Sequence, residues 1–323
     1  MQRETDQIPE IALDWHRAGR QLALATVVET WGSAPRPVGA QLVIDTEARM
    51  MGSVSGGCVE GAVVVEALEA IGNGRPRLLD YGVSDDEAFA VGLACGGRIR
   101  VLVEPLGAVL RPATLEALVA ARAERRAVAY VTDLAVGGGR LEDPAAHPER
   151  FRLDRSGVEA DGQTFVAVHN PPLRMIVVGA VHIAQALLPM ARACGYDPIL
   201  VDPRPAFGSG ARFPDTDIRD DWPDDALGAI GLDPRTAVVT LTHDPKLDDP
   251  AIRAALSSEV FYLGCLGSRR THGKRVERLT AAGFSAGQIA RIHAPVGLDI
   301  GGRSTAEIAV SIMAEITQRL RLG

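Results

Sequence analysis

The sequence predicts an α/β protein of two domains, an N-terminal α+β domain followed by a C-terminal domain with a doubly wound parallel sheet. The chain has 323 residues, about two domains at roughly 150 residues each. The prolines of Asn170-Pro171-Pro172 disfavour helix and form a stiff linker. Beyond this linker, short apolar strands alternate with helices, as in parallel sheets. We therefore place the domains at residues 1–170 and 173–323.

The N-terminal domain is predicted to be rich in strands. A helix is expected over residues 8–18, and apolar residues at helical spacing predict another over 59–72. A third helix is expected over 113–124. The predicted strands cover residues 21–30, 41–46, 77–83, 98–106, 127–134, 151–154 and 164–170.

Strands and helices are predicted to alternate along the C-terminal domain. Its strands are expected at residues 175–180, 198–204, 236–243, 259–267 and 291–297. Helices are expected between them at 182–195, 249–258 and 272–283. A last helix begins after Ser304, because Ser304 and Glu307 have the spacing of a capping box.

Composition excludes several classes of protein. With 46% apolar and 23% charged residues, the chain is not intrinsically disordered. Its net charge of −7 argues against nucleic-acid binding, which needs clustered Lys and Arg. Apolar runs end well before the roughly 20 residues of a membrane span, and residues 1–10 lack the apolar core of a secretory signal. We therefore expect a cytoplasmic protein with free thiols.

A glycine-rich loop at residues 52–61 leads into the second predicted helix. Backbone amides of Ser55, Gly56 and Gly57, together with the helix N-terminus, would stabilise an anion. The same field favours thiolate at Cys58, which would make it a nucleophile or a metal ligand. Alternatively, Ser55 caps the helix and Cys58 is a small buried residue.

Two further loops of this domain carry candidate residues. Cys95, Gly96 and Gly97 repeat the combination of a cysteine with a glycine pair, and the two cysteine loops could face one ligand. Taken alone, this segment is equally typical of a tight turn. Arg36 lies between two prolines, which would hold its side chain outwards to bind a carboxylate or phosphate. The alternative is that Arg36 lies in a solvated turn. The CxxC and HxxxH spacings of a structural zinc site are not found.

The first strand and helix of the C-terminal domain have the arrangement of a Rossmann-like nucleotide site. Gly179 and His182 lie in the turn between them, and Asp202 ends the next strand, where it would accept ribose hydroxyls. Val181 and Ala184 replace the second and third glycines of the usual motif. This substitution favours altered or lost nucleotide binding.

Polar residues also follow later strands of this domain. Arg269, Arg270 and Lys274 form a positive patch suited to phosphate, although solvated charges at a helix start are the alternative. His243 and Asp244 are a candidate acid–base pair, although neighbouring side chains often point apart.

Motifs along nearly the whole chain resemble the xanthine dehydrogenase accessory protein family (XdhC/CoxI). They are GSAPRPVGA, GSVSGGCVEG, GLACGG, VEP, VDPRPAF, LTHDPKLDDPAI, LGCLGSRRT, IHAPVGLDIGG and STAEIAVSIMAEI. The resemblance implies a chaperone that binds the molybdenum cofactor, a phosphorylated pterin dithiolene. Such a protein assists the cofactor's sulfuration and delivers it to a molybdenum hydroxylase of the xanthine or carbon-monoxide dehydrogenase type.

The resemblance and the chemistry together predict one cofactor site. Its members are Ser55, Gly56, Gly57, Cys58, Cys95, Gly96 and Gly97, with Arg36, Arg269 and Arg270 at the anionic end. Cys58 and Cys95 are the candidate ligands of molybdenum, because thiolates suit a soft metal–sulfur centre. Expected partners are the hydroxylase, a cysteine desulfurase and a second copy of the chain.

Two alternatives come from other classes of protein. One is an NAD(P)-dependent oxidoreductase with Asp202 on the ribose and His243 as the acid–base group. The other is a scaffold that docks a partner enzyme and has lost ligand binding.

Overall fold

Two prolines, Pro171 and Pro172, mark the point at which the chain divides into two units, Met1–Pro171 and Pro172–Gly323. The computed structural model describes residues 7–32, 34–82 and 97–322. Within these ranges, every helix is too short or too polar to cross a lipid bilayer.

The first unit is a strand-rich α+β domain, as predicted. Its elements in chain order are α1 (Ile8–Arg17), β1 (Leu22–Trp31), β2 (Gln41–Asp45), β3 (Met50–Gly52), α2 (Glu60–Asn73), β4 (Arg77–Gly82), β5 (Arg98–Pro105), α3 (Pro112–Ala123), β6 (Val128–Asp133), β7 (Arg140–Glu142), a 3₁₀ turn (Pro144–Ala146), α4 (Pro148–Leu153), β8 (Gly157–Val158) and β9 (Thr164–His169). The strands form an antiparallel five-stranded sheet in the order β3-β2-β1-β5-β4 and an antiparallel four-stranded sheet in the order β7-β6-β9-β8.

The five-stranded sheet is buried on both faces. Ala23, Ala25 and Val27 of β1 point to the face covered by α2, where they pack with Val63 and Ala67. The alternate side chains of β1, with those of α1, α3 and the four-stranded sheet, form a second cluster on the opposite face. Because side chains alternate along a strand, an apolar residue at nearly every position of β1 lets it serve both cores.

The strand predicted at residues 151–154 is wrong. Residues Pro148–Leu153 form α4, with Pro148 in the first turn, and Asp154 ends this helix in the left-handed conformation. Proline is favoured at that helical position because its missing N–H is not needed there. Only Phe151 of the segment is buried, and its neighbours are polar, so the alternating pattern of a strand is not sustained.

The second unit is a doubly wound α/β domain, and the predicted fold class is confirmed. Its elements are β10 (Leu173–Val178), α5 (His182–Ala193), β11 (Tyr196–Val201), β12 (Asp217–Arg219), α6 (Pro223–Ile230), β13 (Thr236–Thr240), α7 (Pro245–Leu256), β14 (Tyr262–Cys265), α8 (Arg269–Ala281), α9 (Ala286–Ile289), β15 (Ile292–His293) and α10 (Thr305–Leu322). All six strands are parallel, in the order β12-β11-β10-β13-β14-β15.

This strand order reverses between β10 and β13, where open α/β sheets bind their ligands. The turn after β10 needs a glycine at this point. Gly179 has φ +111°, and a Cβ on it would lie 2.5 Å from Thr242 Cγ2 in the loop after β13. The two loops at the reversal therefore approach too closely for any side chain at position 179.

We expect Gly179→Ala to lower the free energy of unfolding by about 2–4 kcal/mol, from the positive φ and the steric clash. The matched control is Gly228→Ala in α6, where an added Cβ meets nothing within 4 Å. That control should be as stable as the wild type or more stable, by about 0.5–1 kcal/mol, because alanine favours helix. Urea unfolding curves measure both, and equal curves for the two variants would contradict the packing argument.

Candidate functional site

The strands of the five-stranded sheet in the first unit have several of their ends at the same end of the sheet. The antiparallel register pairs Trp31 at the end of β1 with Arg98 at the start of β5, and Gly82 at the end of β4 with the same Arg98. At this end β2 also begins and β3 finishes, since Leu42 pairs with Gly52. Residues 32–40 therefore start and finish at this end of the sheet, residues 53–59 start there, and β4 ends and β5 begins there. We call it the loop end.

The loop of residues 53–59 is organised by the carboxylate of Glu60. Four consecutive backbone amides, those of residues 54–57, donate to its two oxygens over 2.9–3.1 Å. The hydroxyls of Ser53 and Ser55 donate to the same carboxylate. Burial alone would raise the pKa of Glu60, but the hydrogen bonds from Ser55 and Ser53 outweigh it and lower the pKa to about 2.

This arrangement corrects the mechanism predicted for the glycine-rich loop. The amides of Gly56 and Gly57 were expected to cradle an external anion, but they donate to Glu60 of the same chain. A carboxylate at the start of α2 also places a negative charge where the helix dipole is positive, which is a favourable position. Glu60 is not among the residues predicted for the site, although an acidic residue in the first helical turn after a run of glycines was a usable signal.

Ser55 and Cys58 have different environments within this loop. Ser55 is buried, and its Oγ accepts hydrogen bonds from the amides of Cys58 and Val59, each over 3.0 Å. Ser55 does not cap α2, because the N-cap of that helix is Val59 and no side chain of the described residues caps it; Ser55 instead holds the turn that precedes the helix. Cys58 is exposed and forms no disulfide, so its thiol is accessible at the loop end rather than buried in the core.

The Arg36 loop lies directly against the Cys58 loop. A Cβ on Gly56, which has φ +82°, would be 3.6 Å from the ring of Pro35. Arg36 is half-buried rather than fully presented to solvent, and its buried Nε has no hydrogen-bond partner among the described residues. The structure thus brings together two of the three predicted loops and leaves a guanidinium donor available there.

The remaining predicted member of this site is the second cysteine loop. Cys95 and Gly96 lie outside the described residues, and Gly97 directly precedes β5. Where the Cys95 thiol lies relative to Cys58 stays a prediction.

The nucleotide residues of the second unit meet at the end of β10. The Asp202 carboxylate accepts the amide of Ala180 over 2.7 Å and two guanidinium nitrogens of Arg204 over 2.7 and 2.8 Å. Burial raises the pKa of Asp202, but these bonds more than compensate and hold it below its usual value. His182 begins α5 and bonds only to Gln185 among the described side chains. A ribose would have to displace Arg204 to reach Asp202.

Arg269 and Arg270 begin α8 in the second unit and are exposed, as predicted. His243 is exposed in the loop after β13, with φ +63°. The neighbouring Asp244 caps α7 by accepting the amide of Lys246 over 2.9 Å. This bond gives Asp244 a helix-capping role.

Two family models match the chain. The model described as the XdhC Rossmann domain matches residues 175–316, and the model of the XdhC and CoxI family matches residues 15–82.

Similar proteins of known name share nearly its full length. The molybdenum cofactor insertion chaperone PaoD of Escherichia coli (strain K12) is 34% identical over 96% of this chain and 86% of the relative. A probable xanthine dehydrogenase subunit of Bacillus subtilis (strain 168) is 29% identical over 92% of this chain and 93% of the relative. A crystal structure described as a xanthine dehydrogenase from Bacillus halodurans has a TM-score of 0.66 at 25% identity, covering 98% and 96% of the two chains.

We expect Glu60→Gln to lower the free energy of unfolding by on the order of 2 kcal/mol near pH 7, because the amide group accepts fewer hydrogen bonds and adds a donor facing backbone N–H groups. The folded-state pKa of Glu60 lies below its ordinary value of 4.5. Its stabilisation is therefore complete above about pH 4.5 and is lost as the pH falls towards about 2. Urea unfolding of both proteins over this pH range measures the difference.

Glu116→Gln removes an exposed carboxylate of α3 and is the matched control for that series. It should stay within about 0.5 kcal/mol of the wild type at every pH. Equal stabilities of the Glu60 and Glu116 variants at neutral pH would show that the carboxylate does not hold the loop.

We also expect isothermal titration calorimetry with NAD(H) and NADP(H) to show no micromolar binding to the wild-type protein. The physical reason is that Arg204 and the amide of Ala180 already use both oxygens of Asp202. Saturable micromolar binding would reverse this expectation and support the nucleotide site predicted at Gly179, His182 and Asp202.

Proposed function

Because this chain belongs to the XdhC and CoxI family, we propose that it binds the molybdenum cofactor as cargo at the loop end of its first unit. The observation that carries the proposal is an accessible thiol, Cys58, on a rigidly held loop that packs against the loop of Arg36. The strands flanking residues 83–96 leave the sheet at the same end, so Cys95 and Gly96 are proposed as further contacts.

The residues at the loop end fit some parts of this cargo and not others. An exposed thiol suits a soft metal–sulfur centre, and the unpartnered Nε of Arg36 suits an anionic group. The amides of residues 54–57 do not fit, because the Glu60 carboxylate occupies them and would repel phosphate. Ser55, Gly56 and Gly57 therefore shape the site instead of donating to the cargo, and the anionic end is proposed to contact Arg36.

A cleft of about 770 Å³ borders the Arg36 loop within the first unit. Trp31 and Val38 line it from the two ends of that loop, and residues 146–150, 153 and 155–159 line it as well. This volume lies in the usual range for small-molecule sites. We propose that it receives the pterin body of the cargo, with Cys58 and Cys95 towards the metal.

Delivery and sulfuration complete the proposal. The protein holds the cofactor while its terminal sulfur ligand is installed, with a cysteine desulfurase as sulfur donor. It then passes the cofactor to a molybdenum hydroxylase of the xanthine or carbon-monoxide dehydrogenase type. The name of the 34% identical relative, a molybdenum cofactor insertion chaperone, supports the step in which the cofactor is passed on. A homo-oligomer of the chain is part of the same proposal.

We expect the double variant Cys58→Ser, Cys95→Ser to contain at most about one tenth of the wild-type amount of molybdenum, because both thiolate contacts are lost. Both proteins are purified from cells that make the cofactor. Elemental analysis by mass spectrometry measures the bound metal per protein. Undiminished molybdenum in the double variant would defeat the assignment of the site.

The matched control is Cys194→Ser, which removes the exposed cysteine at the end of α5 in the second unit. It should carry as much molybdenum as the wild type. Thermal unfolding of all variants checks that a lost metal does not reflect a lost fold. A loss of metal in the control as large as in the double variant would indicate a general effect of cysteine removal.

A further inference from the structure

A second cavity lies in the second unit, at the carboxyl ends of β13 and β14. It has a volume of about 310 Å³ and is bounded by the start of α7 and the first three turns of α8. His243 and Asp248 line it from one side, and Arg270, Lys274, Arg275 and Arg278 line it from the other. We call it the α8 pocket. Parallel α/β sheets bind ligands at this edge.

Arg275 is the unusual member of the α8 pocket, because its side chain is only 2% exposed. Its Nη2 donates to the carbonyl of Leu266 over 3.0 Å and lies 3.8 Å from Asp248 Oδ2, too far for a hydrogen bond. Its Nε and Nη1 are buried and have no partner among the described residues. A buried guanidinium normally has its donors satisfied, since an unmade charged hydrogen bond is costly. The pocket therefore has two buried donors without acceptors, beside one buried acceptor, Asp248 Oδ2, that receives no hydrogen bond from the described residues.

The charges around the pocket do not cancel. Arg278 is neutralised by Asp249 through two hydrogen bonds of 2.6 and 2.8 Å. The structure gives no ion pair to the exposed side chains of Arg270 and Lys274 within the ranges it describes. On the acidic side, Asp248 Oδ1 already accepts the hydroxyl of Thr242 over 2.6 Å. Three cations therefore face the single carboxylate of Asp248, namely Arg270, Lys274 and Arg275. The pocket keeps an excess of two positive charges.

We propose that the α8 pocket binds the phosphate group of a small phosphorylated ligand. The Arg275 guanidinium donates from the buried floor, and Arg270 and Lys274 close over the anion from the exposed rim. A phosphate monoester carries close to two negative charges and several acceptor oxygens, which match the excess charge and the vacant donors. A carboxylate would neutralise only half of that charge. The proposal stands on the second unit alone, whether or not Cys58 binds the molybdenum cofactor.

Phosphate titration by isothermal calorimetry of the full-length chain tests the proposal. We expect saturable binding of inorganic phosphate to the wild type, and an affinity at least about tenfold lower in the variant Arg270→Gln, Lys274→Gln, because a charge-assisted hydrogen bond is lost. Both side chains are exposed, so this variant should fold normally. Arg275→Lys, which keeps the charge but loses the guanidinium donors, should weaken binding as well.

Arg253→Gln is the control, because Arg253 is an exposed cation of α7 that does not line the pocket. It should bind phosphate like the wild type. The proposal would be overturned if the wild type did not bind phosphate. It would also be overturned if the Arg270→Gln, Lys274→Gln variant bound phosphate as tightly as the control.

Adenosine 5′-monophosphate and phenyl phosphate distinguish the sources of the phosphate group. Equal affinities for the two esters indicate that only the phosphate is recognised, as for a phosphate on any carrier, including the pterin cargo. Tighter binding of the nucleotide identifies a nucleotide as the ligand. Phosphate titration of the Cys58→Ser, Cys95→Ser variant separates a failure here from a failure of the Cys58 site, because that variant keeps every residue of the α8 pocket and should bind phosphate like the wild type.

Discussion

The carboxylate of Glu60 accepts four consecutive backbone amides and two serine hydroxyls, and the accessible loop that carries Cys58 depends on it. Without this internal acceptor, several N–H groups of the loop would need other partners. The carboxylate also lies at the start of α2, where the dipole of that helix favours negative charge. One buried side chain therefore fixes both the conformation of the loop and the direction from which its thiol meets solvent.

The antiparallel sheet of the first unit supplies the second constraint. Because neighbouring strands run in opposite directions, connections that are far apart in sequence return to one end of the sheet. The Arg36 and Cys58 loops consequently pack together, with Pro35 against Gly56. In the second unit, the parallel sheet has the corresponding effect at its carboxyl edge, where the loops after β10, β13 and β14 carry the polar residues. Both sheets therefore bring their polar loop residues to one edge. The first does so through antiparallel neighbours, and the second through parallel strands joined by helices.

The longer helices and strands were predictable from the sequence, and most of the short ones were not. The parallel strands of the second unit are confirmed, and so is the capping box at the start of α10, where Ser304 and Glu307 exchange hydrogen bonds. The short strands β3, β7 and β12 were missed, because three residues are too few to show a period. Residues 151–154 were assigned to a strand, whereas the preceding proline and the polar neighbours favour a helix. The helix α6 was missed as well.

The sequence by itself determined the fold class and the identity of the loops, because apolar periodicity, glycine positions and proline breaks are local properties of the chain. Only the tertiary structure decided how the polar groups of those loops are used. The amides of the Cys58 loop donate to the carboxylate of Glu60, and the carboxylate of Asp202 accepts hydrogen bonds from Arg204. The guanidinium of Arg275 is buried, and two of its nitrogens have no acceptor among the described residues. The reason is that satisfying a buried donor or charge depends on which side chains the folded chain brings within hydrogen-bond distance, and no sequence period records that.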